Sequence, residues 1–249
     1  MLYKVKAITD AGIKRRNTPN QDSVGVVLPG LFQHRPPLLV LADGMGGHSG
    51  GRIASQLVVS TFKKEYLRSH LDESALPFLE KAVLASHKAV ITAAKKSSLL
   101  SEMGSTVVAM VLYHDRVDLV NVGDSRAYLL REGRLHQISK DQSVVAEMVR
   151  QGTLSAKEAQ FDPRLNQLTM SISAKRTVVE PFFYSSRLEA GDIFILCSDG
   201  LWGVLPEPLI QSIIENFSIQ KSCAKLIHLT NDAGGKDNIS IIIAMPRMK

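Results

Sequence analysis

The sequence predicts an α+β fold built from mainly antiparallel sheets, and two features carry that expectation. Between Thr106 and Ile138, short strand-like runs follow one another across tight turns, a meander rather than the strand–helix alternation of a doubly wound fold. Two apolar runs, Leu38 to Ala42 and Ile193 to Cys197, lack polar alternation and have the length of strands buried on both faces. No internal repeat, low-complexity tract or dividing linker interrupts the chain, so residues 1–249 are expected to form one domain.

In order, Leu2 to Thr9 alternates as a strand and stops at Asp10-Ala11-Gly12. A polar stretch from Lys14 to Gln21 leads into a second strand opening at Asp22, and Pro29 to Pro37 connects to the apolar run ending in Asp43. Two helices follow, with apolar faces at Ile53, Leu57, Val58, Phe62 and at Leu76, Leu79, Val83, Val90. His87 on the second is expected at the surface, and Ser97 to Gly104 as a loop. The meander comprises Thr106 to Tyr113, Arg116 to Val122, Arg126 to Arg131 and Leu135 to Ile138. Ser143 to Gln151 has helical character, and Ser155 and Glu158 form a capping box for a further short helix. Phe161 to Glu180 is the least regular stretch. After the strand ending at Cys197, helices are expected near Pro206 to Asn216 and Ile219 to Asp232, then a strand from Ile239 to Met245.

Composition narrows the function classes. The chain is 45% hydrophobic and 22% charged, an ordinary globular profile. Its net charge of +6 is spread over short clusters such as Lys14-Arg15-Arg16, without the basic–aromatic interleaving of a nucleic-acid surface. No apolar run approaches the ~18 residues of a membrane span. The charged start Met1-Leu2-Tyr3-Lys4-Val5-Lys6 lacks a signal-peptide core, and the two cysteines form neither a disulfide framework nor a metal pattern. A reduced, cytoplasmic setting is the expectation, with no membrane or nucleic-acid partner.

The chemistry concentrates in aspartates at strand ends. Asp22, Asp43, Asp124, Asp199 and Asp237 each stand where an apolar strand starts or stops. Glycine flanks Asp43, Asp124 and Asp199, and a glycine pair lies just upstream of Asp237. Five of the eight residues after Asp43 are glycine, so a ligand there can lie against backbone as well as carboxylate. A single aspartate after a strand is usually a turn or cap residue, but five in matching positions point to a shared task. Clustered carboxylates repel and raise one another's pKa unless a cation joins them. An oxygen-only donor set selects a hard divalent ion, Mg2+ or Mn2+. Two such ions can acidify a water, making a Ser or Cys nucleophile unnecessary.

Six motifs in order carry a family resemblance: Asn20-Gln21-Asp22, Ala42-Asp43-Gly44-Met45-Gly46-Gly47-His48, Gly104-Ser105-Thr106, Val122-Gly123-Asp124-Ser125-Arg126, Cys197-Ser198-Asp199-Gly200-Leu201 and Gly235-Lys236-Asp237-Asn238. Together they resemble the metal-dependent protein phosphatases, the type 2C Ser/Thr phosphatases, in a compact bacterial form. The resemblance implies a four-layer αββα sandwich with two Mn2+ or Mg2+ ions, and a possible third, in a cleft at one edge. It implies that Asp43 bridges two ions, that the Gly44 carbonyl contributes to one, that Asp199 and Asp237 hold the first and that Asp22 supports the second through water. Asp124, with Asp199, matches the third-metal position. It further implies hydrolysis of phosphoserine and phosphothreonine by direct attack of a water bridging two ions, with an arginine gripping the phosphate. Here that arginine is Arg16, with Arg15 or Lys14 as alternatives, because the spacing to Asn20 is one residue longer than the family's.

Other departures are Met45 where eukaryotic relatives carry histidine, with His48 nearby in a structural role, and Asp141-Gln142 and Ser173-Ala174 where the flap carries Asp-His and Leu-Gly. The flap-like subdomain covers about residues 141–186. Substrates are expected to be phosphoproteins, products of a Ser/Thr kinase, and the enzyme a monomer. The rival readings are a catalytically silent phosphatase-like regulatory domain, against which the intact aspartates stand, and a metal-dependent nuclease, against which the surface composition stands.

Overall fold

A computed structural model describes residues 2–28, 35–46, 50–71 and 74–247. In chain order the strands are β1 (Leu2–Asp10), β2 (Asp22–Val27), β3 (Leu38–Met45), β4 (Gly104–Ser105), β5 (Val107–Leu112), β6 (Arg116–Val122), β7 (Arg126–Arg131), β8 (Arg134–Gln137), β9 (Ile172–Ser173), β10 (Phe182–Arg187), β11 (Ile193–Cys197) and β12 (Ile239–Arg247). The helices are α1 (Gly50–Arg68), α2 (Leu76–Ala94), α3 (Val144–Arg150), α4 (Ala156–Ala159), α5 (Asp199–Trp202), α6 (Glu207–Asn216) and α7 (Ile219–Asp232). One sheet has the order β1-β12-β11-β7-β8; the other runs β10-β6-β5-β3, with β2 and the short β4-β9 pair also joined to β3. Every pairing among the described strands is antiparallel.

Side-chain alternation explains why the apolar runs have no polar face. Leu39, Leu41, Val108, Met110 and Leu119 of one sheet meet Leu129, Phe194, Leu196 and Ile242 of the other in a core between the sheets. Their neighbours in sequence point outward. Leu38, Val40, Val107, Ala109 and Val111 pack under α1 and α2 through Val58, Phe62 and Leu79. Ile195, Cys197, Ile241 and Ile243 pack under α6 and α7 through Ile210, Ile214, Cys223 and Leu226. Each strand thus fills two cores at once, which makes it apolar at both parities. The result is helix pair, sheet, sheet, helix pair.

Several local expectations change. β3 runs past Asp43 to Met45 because Gly44 and Met45 pair with Ser105 and Gly104. β10, a strand that the sequence pattern did not announce, pairs with β6 along Phe182–Arg187. Residues 98–100 form one turn of 3-10 helix. His87 is buried rather than at the surface, its Nε2 lying 3.1 Å from the Ser173 carbonyl and 3.0 Å from that of Arg176. Those carbonyls lie across the sheet in sequence terms, so no helical periodicity could announce them.

Buried carboxylates also close the frame. Asp118 on β6 accepts from the Ala75 amide at 2.7 Å, serving the N-terminus of α2 from another element, and from the hydroxyls of Ser74 and Ser185. Asp192 receives a two-pronged guanidinium bond from Arg131, at 2.8 and 2.7 Å, locking the turn before β11 onto β7.

Phe194 is wholly buried at the centre of the layer between the sheets. Phe194→Ala is expected to destabilise the chain by about 3–5 kcal/mol, read from the shift in a urea unfolding midpoint. A shift of under about 1 kcal/mol would mean that this layer is not the core.

Candidate metal centre

The aspartates gather because strand register and parity leave no alternative. Asp22 opens β2 and lies directly opposite Asp43 on β3, so both side chains leave the sheet on the same face. Their parity is that of Leu39 and Leu41, the face turned toward the second sheet. From that second sheet, Asp199 follows β11 and begins α5, while Asp237 stands just before β12. A Cβ on Gly200 would lie 2.0 Å from the Asn238 carbonyl. Only glycine allows these two loops to press together and set Asp199 beside Asp237. Asp124 arrives on the connection between β6 and β7, its carbonyl held by Trp202 Nε1 at 3.1 Å.

Backbone and hydroxyl groups fix each carboxylate. The Asp43 amide donates to Thr106 Oγ1 at 3.0 Å, and its carbonyl accepts from the Thr106 amide at 2.8 Å and Ser105 Oγ at 3.0 Å. Thr106 Oγ1 is 2.7 Å from Ser125 Oγ, which ties the Asp43 strand to the residue after Asp124. Ser198 Oγ donates to Asp22 Oδ2 at 2.8 Å and accepts from the Ser240 amide at 3.0 Å. The Gly44 amide donates to the Gln21 carbonyl, and a Cβ at Gly44 would stand 2.0 Å from the Gly51 carbonyl, so the start of α1 abuts the strand end.

The two adjacent arginines before Asn20 are seated differently. Gly12, at φ +77°, turns the chain into a 3-10 turn over Ile13–Arg15, and the Lys14 amide donates to the Gly235 carbonyl. This seats Arg15, whose guanidinium meets Asp237 Oδ1 at 2.9 Å. Arg16, one residue on, is exposed and has no carboxylate partner among the described residues. A 3-10 turn rotates successive side chains by about 120°, so the two adjacent arginines do not share a direction. His48 lies outside the described residues.

Electrostatically the cluster is under tension. Burial pushes the Asp22 carboxyl up to about 7, with Asp199 and Asp237 adding to the rise and the Ser240 and Ser198 hydroxyls opposing it. Burial, then the charges of Asp22, Asp199 and Asp124, hold Asp43 well above the usual carboxylate range. Asp124 rises for the same reason, with Asp199 and Asp141 as its repelling neighbours. Asp199 is raised by burial and Asp237, against relief from Asp43, the Gly200 amide and Arg15.

Two buried carboxylate oxygens, Asp22 Oδ1 and Asp199 Oδ1, have no hydrogen-bond partner. An orphaned carboxylate oxygen is costly to bury, and a hard cation relieves both the orphaned atoms and the repulsion. The donors present therefore fit Mg2+ or Mn2+. Among the described residues, however, no three His, Cys, Asp or Glu side chains converge on one point. Asp237 Oδ1 is engaged instead by Arg15 and by the Asn238 amide at 2.7 Å. The donor set thus suits ions that take few carboxylates and complete their shell with backbone carbonyl and water.

The supporting hydroxyls of Thr106, Ser125 and Ser198 are legible in the sequence only as motif members, and Ser240 not at all, because their partners lie on other elements. Gly12 gave a signal that could have been read, since its Cβ would stand 2.1 Å from the Asp237 carbonyl.

The raised carboxyls give a signed expectation. Folded, the metal-free chain binds more protons than the unfolded chain between the ordinary carboxylate range and about pH 7. Its stability falls as pH rises through that window. After chelation, Tm should drop between about pH 5 and pH 8, and Mn2+ should raise Tm more at the higher pH, where the ligands are ionised. A manganese-induced shift equal at both pH values, measured by thermal denaturation, would contradict the crowding.

Comparison with known proteins gives a consistent result. The sequence model of the family described as Protein phosphatase 2C matches residues 11–238. The Serine/threonine protein phosphatase PstP of Mycobacterium tuberculosis is 34% identical over 249 residues, covering 98% of this chain; the chain spans 45% of that relative's length. The Serine/threonine phosphatase stp of Listeria welshimeri is 32% identical, with 94% of this chain and 92% of the relative covered. A crystal structure of the catalytic domain of PstP in complex with two manganese ions superposes with a TM-score of 0.85 at 33% identity, covering 98% of this chain and 97% of that one. With the matched span containing Asp22, Asp43, Asp124, Asp199 and Asp237, the chain belongs to the protein phosphatase 2C family.

Proposed function

We propose that this chain is a metal-dependent phosphoprotein phosphatase that hydrolyses phosphoserine and phosphothreonine. The observation that carries the reading is the mutual crowding of Asp22, Asp43, Asp124, Asp199 and Asp237 near one edge of the sandwich, close enough to raise one another's pKa though among the described residues no three converge on a point, with buried oxygens of Asp22 and Asp199 left without partners. Asp43 and Asp199 would be the principal carboxylate ligands, joined by Asp22, Asp124, Asp237 and the Gly44 carbonyl. Bound there, a pair of Mn2+ or Mg2+ ions supplies Lewis acidity toward a phosphoryl oxygen and acidifies an attacking water.

The chain's own residues supply orientation. Arg15, rather than Arg16, is placed to grip the phosphate: its guanidinium lies on the edge of the acidic cluster and offers the planar fork that phosphate accepts. Asp237 holds that fork in place while the phosphate approaches. Ser198 keeps Asp22 from turning away, and the Thr106 hydroxyl fixes the backbone of Asp43. Residues 1–249 then form one catalytic domain with a flap over about residues 141–186. Its substrates are phosphoproteins made by a Ser/Thr kinase, a reading supported by relatives named Ser/Thr phosphatases. We place it in the cytoplasm, consistent with no described helix being long and apolar enough to cross a membrane.

Phosphate release from a phosphothreonine peptide should require Mn2+ and stop with chelator. Asp43→Asn and Asp199→Asn should each lower kcat/KM at least about 100-fold while leaving the circular dichroism spectrum intact. Retained turnover in both would end the two-metal reading. Arg15→Ala should lower kcat/KM about 10-fold or more and Arg16→Ala far less; the reverse order would restore Arg16 as the phosphate contact.

A further inference from the structure

The residue standing where the family's flap carries histidine is Gln142, and its surroundings give it a task. All four of its polar groups are engaged. Two hold Gly123: the Gly123 amide donates to Gln142 Oε1 at 2.9 Å, and the Gln142 amide donates to the Gly123 carbonyl at 3.0 Å. The other two hold the flap. The Gln142 carbonyl accepts from the Thr169 amide at 2.9 Å and the Met170 amide at 3.3 Å, and Gln142 Nε2 donates to the Glu180 carbonyl at 2.8 Å.

Gly123 directly precedes Asp124 and sits at φ +98°, where its missing Cβ would be 2.7 Å from Thr106 Cγ2. The turn that aims Asp124 therefore cannot shift without disturbing Thr106, whose hydroxyl accepts from the Asp43 amide. On the other side of Asp124, Arg126 is fastened to Asp141 at 2.9 and 2.7 Å and stacks on Trp202 at 3.6 Å. Asp141 and Gln142 thus clasp both flanks of Asp124. The same dipeptide opens the flap, with the Asp141 carbonyl accepting from Arg150 of α3 at 2.9 Å.

We propose that Gln142 is a positioning residue that couples the flap to the Asp124 loop, so that an ion at the acidic centre and an ordered flap favour one another. The coupling rests on the metal reading above, and it is reciprocal by linkage. A neutral amide offers donor and acceptor together at any working pH, whereas a protonated imidazole has no acceptor left for Gly123. Glutamine in this place holds its four bonds without a titrating group of its own.

The test uses the intact chain and manganese chloride, with two readouts: manganese affinity by calorimetry and the rate of trypsin cleavage after Lys157, an exposed flap residue. In wild type, manganese should slow cleavage. In Gln142→Ala, manganese affinity should weaken roughly fivefold and the protection ratio should fall by a similar factor. Gln142→Glu keeps an acceptor for Gly123 but loses the donor to Glu180. Because the linkage is reciprocal, its manganese affinity and the manganese protection of its flap should fall together and by a similar factor. Undiminished protection in Gln142→Ala overturns the coupling, and so does a wild-type flap indifferent to bound manganese. Should Gln142→Ala fail to fold by circular dichroism, protection retained in Gln142→Glu overturns it equally. A wild type that binds no manganese overturns the metal reading first and the coupling with it.

Discussion

Bringing like charges into a partly dry crevice costs free energy, and much of this structure is arranged to bear that cost. Asp22 and Asp43 face each other across one pair of strands, while Asp199 and Asp237 meet them from the opposite sheet. None can retreat far, since each stands in or beside a strand whose apolar residues pack into the cores. The repulsion raises the carboxyl pKa values and leaves buried oxygens without partners. A divalent ion answers both, and so the same feature that weakens the metal-free chain makes the metal-bound one.

The supports around the centre are short and mostly uncharged. Hydroxyls of Ser198, Thr106 and Ser125, with the Ser240 amide donating to Ser198, link the elements that carry the carboxylates. Small, stiff groups suit this role because they hold a carboxylate without neutralising it. Arg15 is the one cation found in contact with the described acidic cluster, and it pairs with the partly exposed Asp237 at the rim. That placement leaves the inner carboxylates without an ion pair among the described residues, and the proposed phosphate contact at the rim rather than inside the cluster.

The stretch proposed as a flap is tied to the acidic centre by hydrogen bonds. Asp141 and Gln142 bind the flanks of Asp124, and His87 of α2 holds the carbonyls of Ser173 and Arg176 at the flap's far end. The irregular stretch is therefore anchored at its entry and exit while its middle, around Lys157 and Phe161, stays exposed. Such a segment can respond to what binds below it without loss of the frame.

The sequence by itself determined the longer apolar strands, the helix pairs and the aspartates at strand ends, because those follow from local alternation, from helical spacing and from glycine placed beside carboxylate. It named Asp22, Asp43, Asp124, Asp199 and Asp237 without showing how they meet. Tertiary structure alone decided that Arg15 and not Arg16 faces Asp237, since one residue's rotation in a 3-10 turn redirects a side chain. It also decided that His87 is buried, that a strand forms at Phe182–Arg187, and that Gln142 grips Gly123. Each of these depends on partners 19 to more than 200 residues away in the chain, and a distance of that kind leaves no period in the sequence to read.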